Sequence, residues 1–267
     1  MRQDGETNGS DCMVDPKQDE CKQPNDAFRW LVRFPALRPV GLAVFWCLVA
    51  QLAGLVAICL YFLVAERVNL YRYFHSFQDA MATGLIISGG ITYALMIWSA
   101  LWRGRREGLL SGLMTGLLRG SIRPLWTVPA AVLLMALVAY IAAWLEFRPF
   151  SGLAMEIRSV NPYLLMVGAI IAVMVGPVTE ELFFRGWLWS SMRRYVGSFA
   201  TGVTTATLWL LMHIGYGITY VAALVPAALA LTLLRHYAGS VRASVIAHAC
   251  YNGFIVSSVL AAAFNRL

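Results

Sequence analysis

A polytopic, all-α bundle of transmembrane helices is the fold this sequence predicts, on three observations. Hydrophobic residues make up 59% of its 267 residues and charged residues 13%, against about 45–50% and about 25% in soluble domains. Apolar stretches of spanning length recur along the chain. Arg and Lys gather in alternate connections between those stretches. A soluble protein of this size could not hide that much apolar surface. A disulfide scaffold is excluded by the sparse cysteines: Cys47, Cys59 and Cys250 lie in apolar runs, and Cys12 and Cys21 match no metal spacing. The formal charge of +7 does not mark a nucleic-acid binder, because the Arg sit at helix ends, where membrane topology explains them.

Taken in order, residues 1–39 form a polar tail with six basic and seven acidic side chains, and the first 26 read as disordered. No apolar run of signal-peptide length lies there, so the first spanning helix is expected to direct insertion. Seven apolar stretches follow, at 40–65, 81–102, 124–145, 160–179, 196–216, 218–234 and 243–264. Each is long enough, or nearly so, for a hydrocarbon core of about 30 Å; the sixth is the short one, and the fourth runs directly into Glu180 and Glu181. The first three (40–145) make an N-terminal group of helices and the last four (160–264) a second group. Between the second and third stretches, Leu109, Leu110, Leu113, Met114, Leu117 and Leu118 share one helical face. Gly108, Gly112, Gly116 and Gly120 form a small-xxx-small row on another. The segment reads as a short helix at the membrane interface, with flanking Arg meeting anionic headgroups.

With the N-terminus in the cytoplasm, segments 1–39, 103–123, 180–195 and 235–242 hold 16 basic residues. The other side holds five: Arg67, Arg72, Arg148, Arg158 and Arg266. The positive-inside rule therefore predicts a cytoplasmic N-terminus and a C-terminus across the membrane.

Beyond the tail, the acidic residues lie in connections or at helix ends except for Glu180 and Glu181, which stand among apolar residues. An ionisable group at membrane depth costs roughly 2.5–3.5 kcal/mol on insertion scales, so it faces protein or water and finds partners. Glu181 and Arg185 are one turn apart and are expected to pair. Glu180 points about 100° away and has no local cation; it reads as the functional carboxylate, Glu181 and Arg185 as its support. His213 and His248 also lie in apolar stretches, and Asn252 follows His248 by one turn on the same face. A carboxylate and an imidazole can share and activate one water. A second imidazole and a carboxamide can donate to a developing oxyanion. Together these groups make a kit for hydrolysing an amide. Neither Gly-x-Ser-x-Gly nor His-Glu-x-x-His is present. Glu180 with the two His could instead bind zinc, a reading not favoured over a metal-free site because the three lie on separate helices.

Glu180-Glu181-x-x-x-Arg185, an aromatic ahead of His213, and His248-x-x-x-Asn252, in this order on apolar helices across 160–264, resemble the CAAX-type (CPBP, or ABI) intramembrane endopeptidases. The family usually has Phe where this chain has Trp209, a change expected to touch packing more than chemistry. The resemblance implies a glutamate-type protease in which Glu180 and His213 activate water and His248 and Asn252 form the oxyanion hole, with Glu181 and Arg185 in support. It also implies a membrane-associated protein or peptide substrate. Gly176-Pro177 fits a kink that opens a water-accessible cavity. Two rivals remain: a proton-coupled transporter, which predicts an inverted repeat that the sequence does not display, and an inactive scaffold or immunity-type protein. The excess of Arg over Lys, the short connections and the lack of organelle signals point to a bacterial inner membrane.

Overall fold

A computed structural model describes residues 34–121, 129, 131–137 and 159–264. Among these residues every regular element is helical. In chain order they are α1 (Leu37–Arg67), α2 (Phe77–Arg106), the short α3 (Leu110–Leu118), α4 (Pro162–Met192), α5 (Ser198–Met212), α6 (Ile218–Ala238) and α7 (Val241–Phe264). All but α3 and α5 are long and apolar enough to cross a membrane. The two expected groups of helices pack into one compact unit that begins at Ala36. The expected span at 124–145 falls largely outside the described residues; its described part, 131–137, is helical.

The bundle is built with its small residues inward. On α1 the buried positions include Ala43, Cys47, Ala50 and Gly54, while Phe45, Leu48, Leu52 and Leu55 on the opposite side are exposed. Burying Leu against protein gains little over burying it in lipid, so close backbone approach drives helix pairing instead. At Gly54 α1 and α2 approach closely: a Cβ there would collide with Thr92 Oγ1. The Thr92 hydroxyl lies within hydrogen-bond distance of Ala50 O on α1 (3.2 Å) and Ser88 O in its own helix (3.0 Å). Trp46, Trp98 and Trp102 cluster edge-on and stacked further along the pair.

Helices α2 and α4 lie side by side and point the same way, pinned at both ends. At the first, Ser76 caps α2, and buried Asp79 accepts the backbone N–H of Asn161 through Oδ1 (2.5 Å). Asn161 in turn caps α4 by accepting from Tyr163 N (2.9 Å). At the second, Glu107 accepts from Arg103 (2.7 Å), Trp187 Nε1 (3.2 Å) and Ser191 Oγ, while its carbonyl takes Arg194 Nη2 (2.7 Å). Ser240, at the head of α7, bonds Ser121 O (2.6 Å) beyond α3, and Arg235 near the end of α6 bonds Arg185 O (2.7 Å) in the last third of α4. The basic residues in the last turn of α2 and in the α4–α5 connection therefore gather at one end of the bundle.

Three sequence expectations change. The fourth apolar stretch does not stop at Thr179: α4 continues to Met192, so Glu180 and Glu181 are interior to a 31-residue helix. Glu180 is twelve residues before that end, ~18 Å along the axis. The aromatic and aliphatic residues after the Glu pair, Phe183, Phe184, Trp187 and Leu188, are fully buried and carry the helix on. Arg185 is buried as well, so it leaves the count of loop cations. The short helix is the fifth rather than the sixth. His213 terminates α5 after 15 residues, and Gly217, at φ 97°, turns the chain into the 21-residue α6. That backbone conformation suits glycine. The glycine row around α3 packs at one end alone: Gly112 and Gly116 face open space and Gly108 sits at φ +70° in the turn before the helix, while a Cβ at Gly120 would collide with Ser240 at the head of α7. Leu113 anchors α3 instead, buried against Gly104 and Gly186.

Candidate active site

The site centres on an irregular stretch of α4. Regular α-helix at Gly176–Glu181 is bracketed by π-helical turns at Ile171–Val175 and Leu182–Leu188. Pro177 has no N–H to give to the preceding turn, and Gly176 bonds Ile171 O, five residues back. A widened turn leaves carbonyls out of the helical ladder, which in a membrane must find other partners. Each π-helical turn has one: Ala172 O accepts Asn252 Nδ2 from α7 (2.8 Å), and Arg185 O accepts Arg235 Nε from α6 (2.7 Å).

On this stretch the two carboxylates have different surroundings. Glu181 is fully buried and Glu180 keeps 11% side-chain exposure, so Glu180 is the one within reach of water. Glu181 Oε1 accepts from Arg185 Nη1 (2.9 Å), the expected one-turn pair, and from His248 Nδ1 (3.1 Å). Glu180 has no such cation. Its Oε1 accepts the Tyr93 hydroxyl of α2 (3.2 Å) and its Oε2 accepts the Trp209 indole N–H of α5 (2.6 Å). His248 Nε2 lies 4.0 Å from Glu180 Oε2.

His248 thus stands between the two carboxylates. Since a carboxylate only accepts, Nδ1 carries a proton toward Glu181 and Nε2 faces Glu180. His213 ends α5 with Nδ1 donating to Trp209 O (2.9 Å), which leaves Nε2 as the acceptor of a neutral ring. Its ring meets Trp209 at 4.7 Å between centroids and lies near-parallel to Tyr220 at 6.2 Å. Asn252, one turn past His248, commits one amide hydrogen to Ala172 O and keeps a second.

The fold therefore brings Glu180, Glu181, Arg185 and His248 into direct contact or near-contact, with His213 beside them across Trp209. Two participants were missed from sequence, Tyr93 and the indole N–H of Trp209. Trp209 is more than a packing replacement for Phe. It donates to Glu180, it carries the Arg185 guanidinium over its face (5.2 Å), and it meets His248 edge-on (5.6 Å). A signal existed for both: a hydroxyl or indole N–H in mid-membrane needs an acceptor, and the acidic acceptors at that depth are few. Among the described residues no three His, Cys, Asp or Glu side chains converge as metal ligands would. Glu180 already binds a neutral donor on each oxygen, and both histidines have Nδ1 engaged.

No curated protein and no solved structure matches the chain. A family described as Type II CAAX prenyl endopeptidase Rce1-like matches residues 162–254, the segment that holds Glu180, Glu181, Arg185, Trp209, His213, His248 and Asn252. Residues 162–254, from α4 into α7, are thus similar to the Rce1-like family of Type II CAAX prenyl endopeptidases.

Proposed function

We propose that the protein hydrolyses a peptide bond of a membrane-associated protein with water activated by Glu180 and without a metal. The observation that carries this reading is the contrast between the two carboxylates: Glu181 is sealed and neutralised by Arg185, while Glu180 keeps access to water and a lone pair on each oxygen.

The steps follow from the chemistry of each group. A water bound to Glu180 Oε2 gives it a proton, and the water oxygen attacks the carbonyl carbon. His213 Nε2 accepts the water's other hydrogen and orients it. The carbonyl π electrons move to oxygen. That oxyanion lies on the side of His248 Nε2, 4.0 Å from Glu180, and of the free Asn252 amide hydrogen. Donation from Nε2 uses the imidazolium, since Nδ1 is already protonated toward Glu181. In that form Glu180, Glu181, Arg185 and His248 sum to zero charge, the favourable state for a buried cluster. The C–N bond then breaks as Glu180 returns its proton to the leaving amine.

The family name supports a CAAX-terminated prenyl protein as the substrate class. The excess of Arg over Lys supports instead a bacterial substrate: a bacteriocin precursor, a sorted surface protein or a membrane-bound regulator. The gathered Arg end supports a cytoplasmic placement of that end and of the N-terminus. Membrane proteomics of cells carrying Glu180→Gln against wild type tests the function. Intact precursors that accumulate only in the variant are expected. Identical membrane proteomes would favour the inactive-scaffold alternative.

A further inference from the structure

Glu180 is held by two neutral donors from two other helices, and the helix that bears it is cut away to admit one of them. Gly176 is one turn before Glu180 on the same face of α4. A Cβ there would lie 3.0 Å from the Tyr93 hydroxyl oxygen and 3.3 Å from Cζ, tighter than ordinary contact. Tyr93 thus crosses α4 over Gly176 to reach Glu180 Oε1 at 3.2 Å. From the other side Trp209 Nε1 reaches Oε2 at 2.6 Å. The Arg185 guanidinium over the indole face draws electron density from the ring and strengthens its N–H as a donor. The cation that neutralises Glu181 therefore also sharpens the grip on Glu180.

We propose that Tyr93 and Trp209 are positioning residues that fix the Glu180 carboxylate in one rotamer, one donor per oxygen, with Gly176 as the gap that lets Tyr93 in. A carboxylate with two free oxygens would rotate about its terminal torsion, which has broad, soft wells. With one donor on each oxygen, the remaining lone pair of Oε2 keeps a constant direction beside His248. The role rests on Glu180 as the base, yet the donor geometry can be read without turnover. Trp209 can also be separated from its packing: Trp209→Phe keeps an aromatic face for Arg185, His213 and His248 and deletes only the donor and one ring.

The test is infrared difference spectroscopy on the full chain in lipid nanodiscs, each protein measured against its own Glu180→Gln partner so that only the Glu180 bands remain. The carboxyl bands are expected to shift in Tyr93→Phe and in Trp209→Phe. Gly176→Ala should reproduce the Tyr93→Phe shift, and the Gly176→Ala/Tyr93→Phe double variant should add nothing to it. Thermal unfolding of each variant checks that packing is retained. With a fluorogenic peptide ending in a farnesylated CAAX motif, kcat should fall about tenfold for each lost donor while KM stays within about twofold. Glu180 bands unmoved in both single variants overturn the proposal, and a band moved in only one removes the other residue from it. Shifted bands with a fully active Glu180→Gln would instead keep the positioning geometry and overturn Glu180 as the base.

Discussion

At the scale of single residues, two adjacent glutamates have opposite surroundings. Glu181 is fully buried between Arg185 and His248, and removing one member of a buried ion pair typically costs about 3–5 kcal/mol. Glu181→Ala should therefore lower the unfolding temperature in detergent markedly, with activity lost through the fold. Glu180 bonds only neutral donors and sits at the edge of the cluster, so Glu180→Gln should unfold close to wild type. Differential scanning of the two variants side by side checks this; equal destabilisation would erase the division of labour. Asn252 adds a second residue-scale prediction. An oxyanion donor is worth about 10²–10³ in turnover, so Asn252→Ala should reduce kcat by that factor with little change in KM. Its bond to Ala172 O also predicts some destabilisation, which unfolding reports separately. Much of this site was legible in the sequence. Ionisable groups in apolar stretches are expensive enough to announce themselves, and the Glu181–Arg185 pair follows from helical spacing alone. Tyr93 was only half legible: a hydroxyl in mid-membrane needs an acceptor, but its partner is 87 residues away and no local pattern pairs the two.

At the scale of elements, the sequence located helices well and their ends less well. Hydropathy marks the lipid-facing core of α1 and α2 but undercounts capped or charged turns, so 81–102 became Phe77–Arg106, with Ser76 as its cap. It failed most at α4, where a charged triplet of Glu180, Glu181 and Arg185 imitates a helix end. Those charges are paired within the bundle, and the apolar residues beyond them continue the helix. The π-helical turns had a partial signal in Gly176-Pro177, but the carbonyls they release are matched by Asn252 and Arg235 from helices far along the chain. Close helix approach makes another prediction. Gly54→Ala places a methyl group against Thr92 and Ser88, and overpacking of this kind costs about 1–3 kcal/mol. Unfolding of Gly54→Ala in nanodiscs should be shifted down accordingly, whereas Gly112→Ala on α3, which faces open space, should unfold at the wild-type temperature or slightly above it.

At the scale of the whole molecule, the bundle sets a buried, polar cluster some 18 Å from its Arg-rich end. α2 and α4 run the same way, fixed by Asp79–Asn161 at one end and Glu107 with Trp187, Ser191 and Arg194 at the other. The fold class and the sidedness of the Arg were open to sequence reasoning because both follow from the bilayer's cost for charge and for unpaired backbone. Which helices neighbour one another was not, since apolar lipid-facing surfaces carry no pairing code. Topology follows from the charge end. Cysteines introduced singly near Arg106 and near Phe77 should label from opposite sides of sealed vesicles, the Arg106 position from the cytoplasmic side. Labelling of both from one side would contradict the spanning of α2.

Metal-free hydrolysis based on Glu180, as proposed, is checked by the turnover of metal-stripped protein. Wild type and Glu180→Gln, dialysed against chelator in nanodiscs, would be given a fluorogenic peptide that spans a cleavage site found by the membrane proteomics. The wild type is expected to retain its rate, and Glu180→Gln, folded to the same unfolding temperature, to lose about 10²–10⁴-fold in kcat. A Glu180→Gln protein that cleaves as fast as wild type, or a wild type that falls silent in chelator and recovers with added zinc, would contradict it.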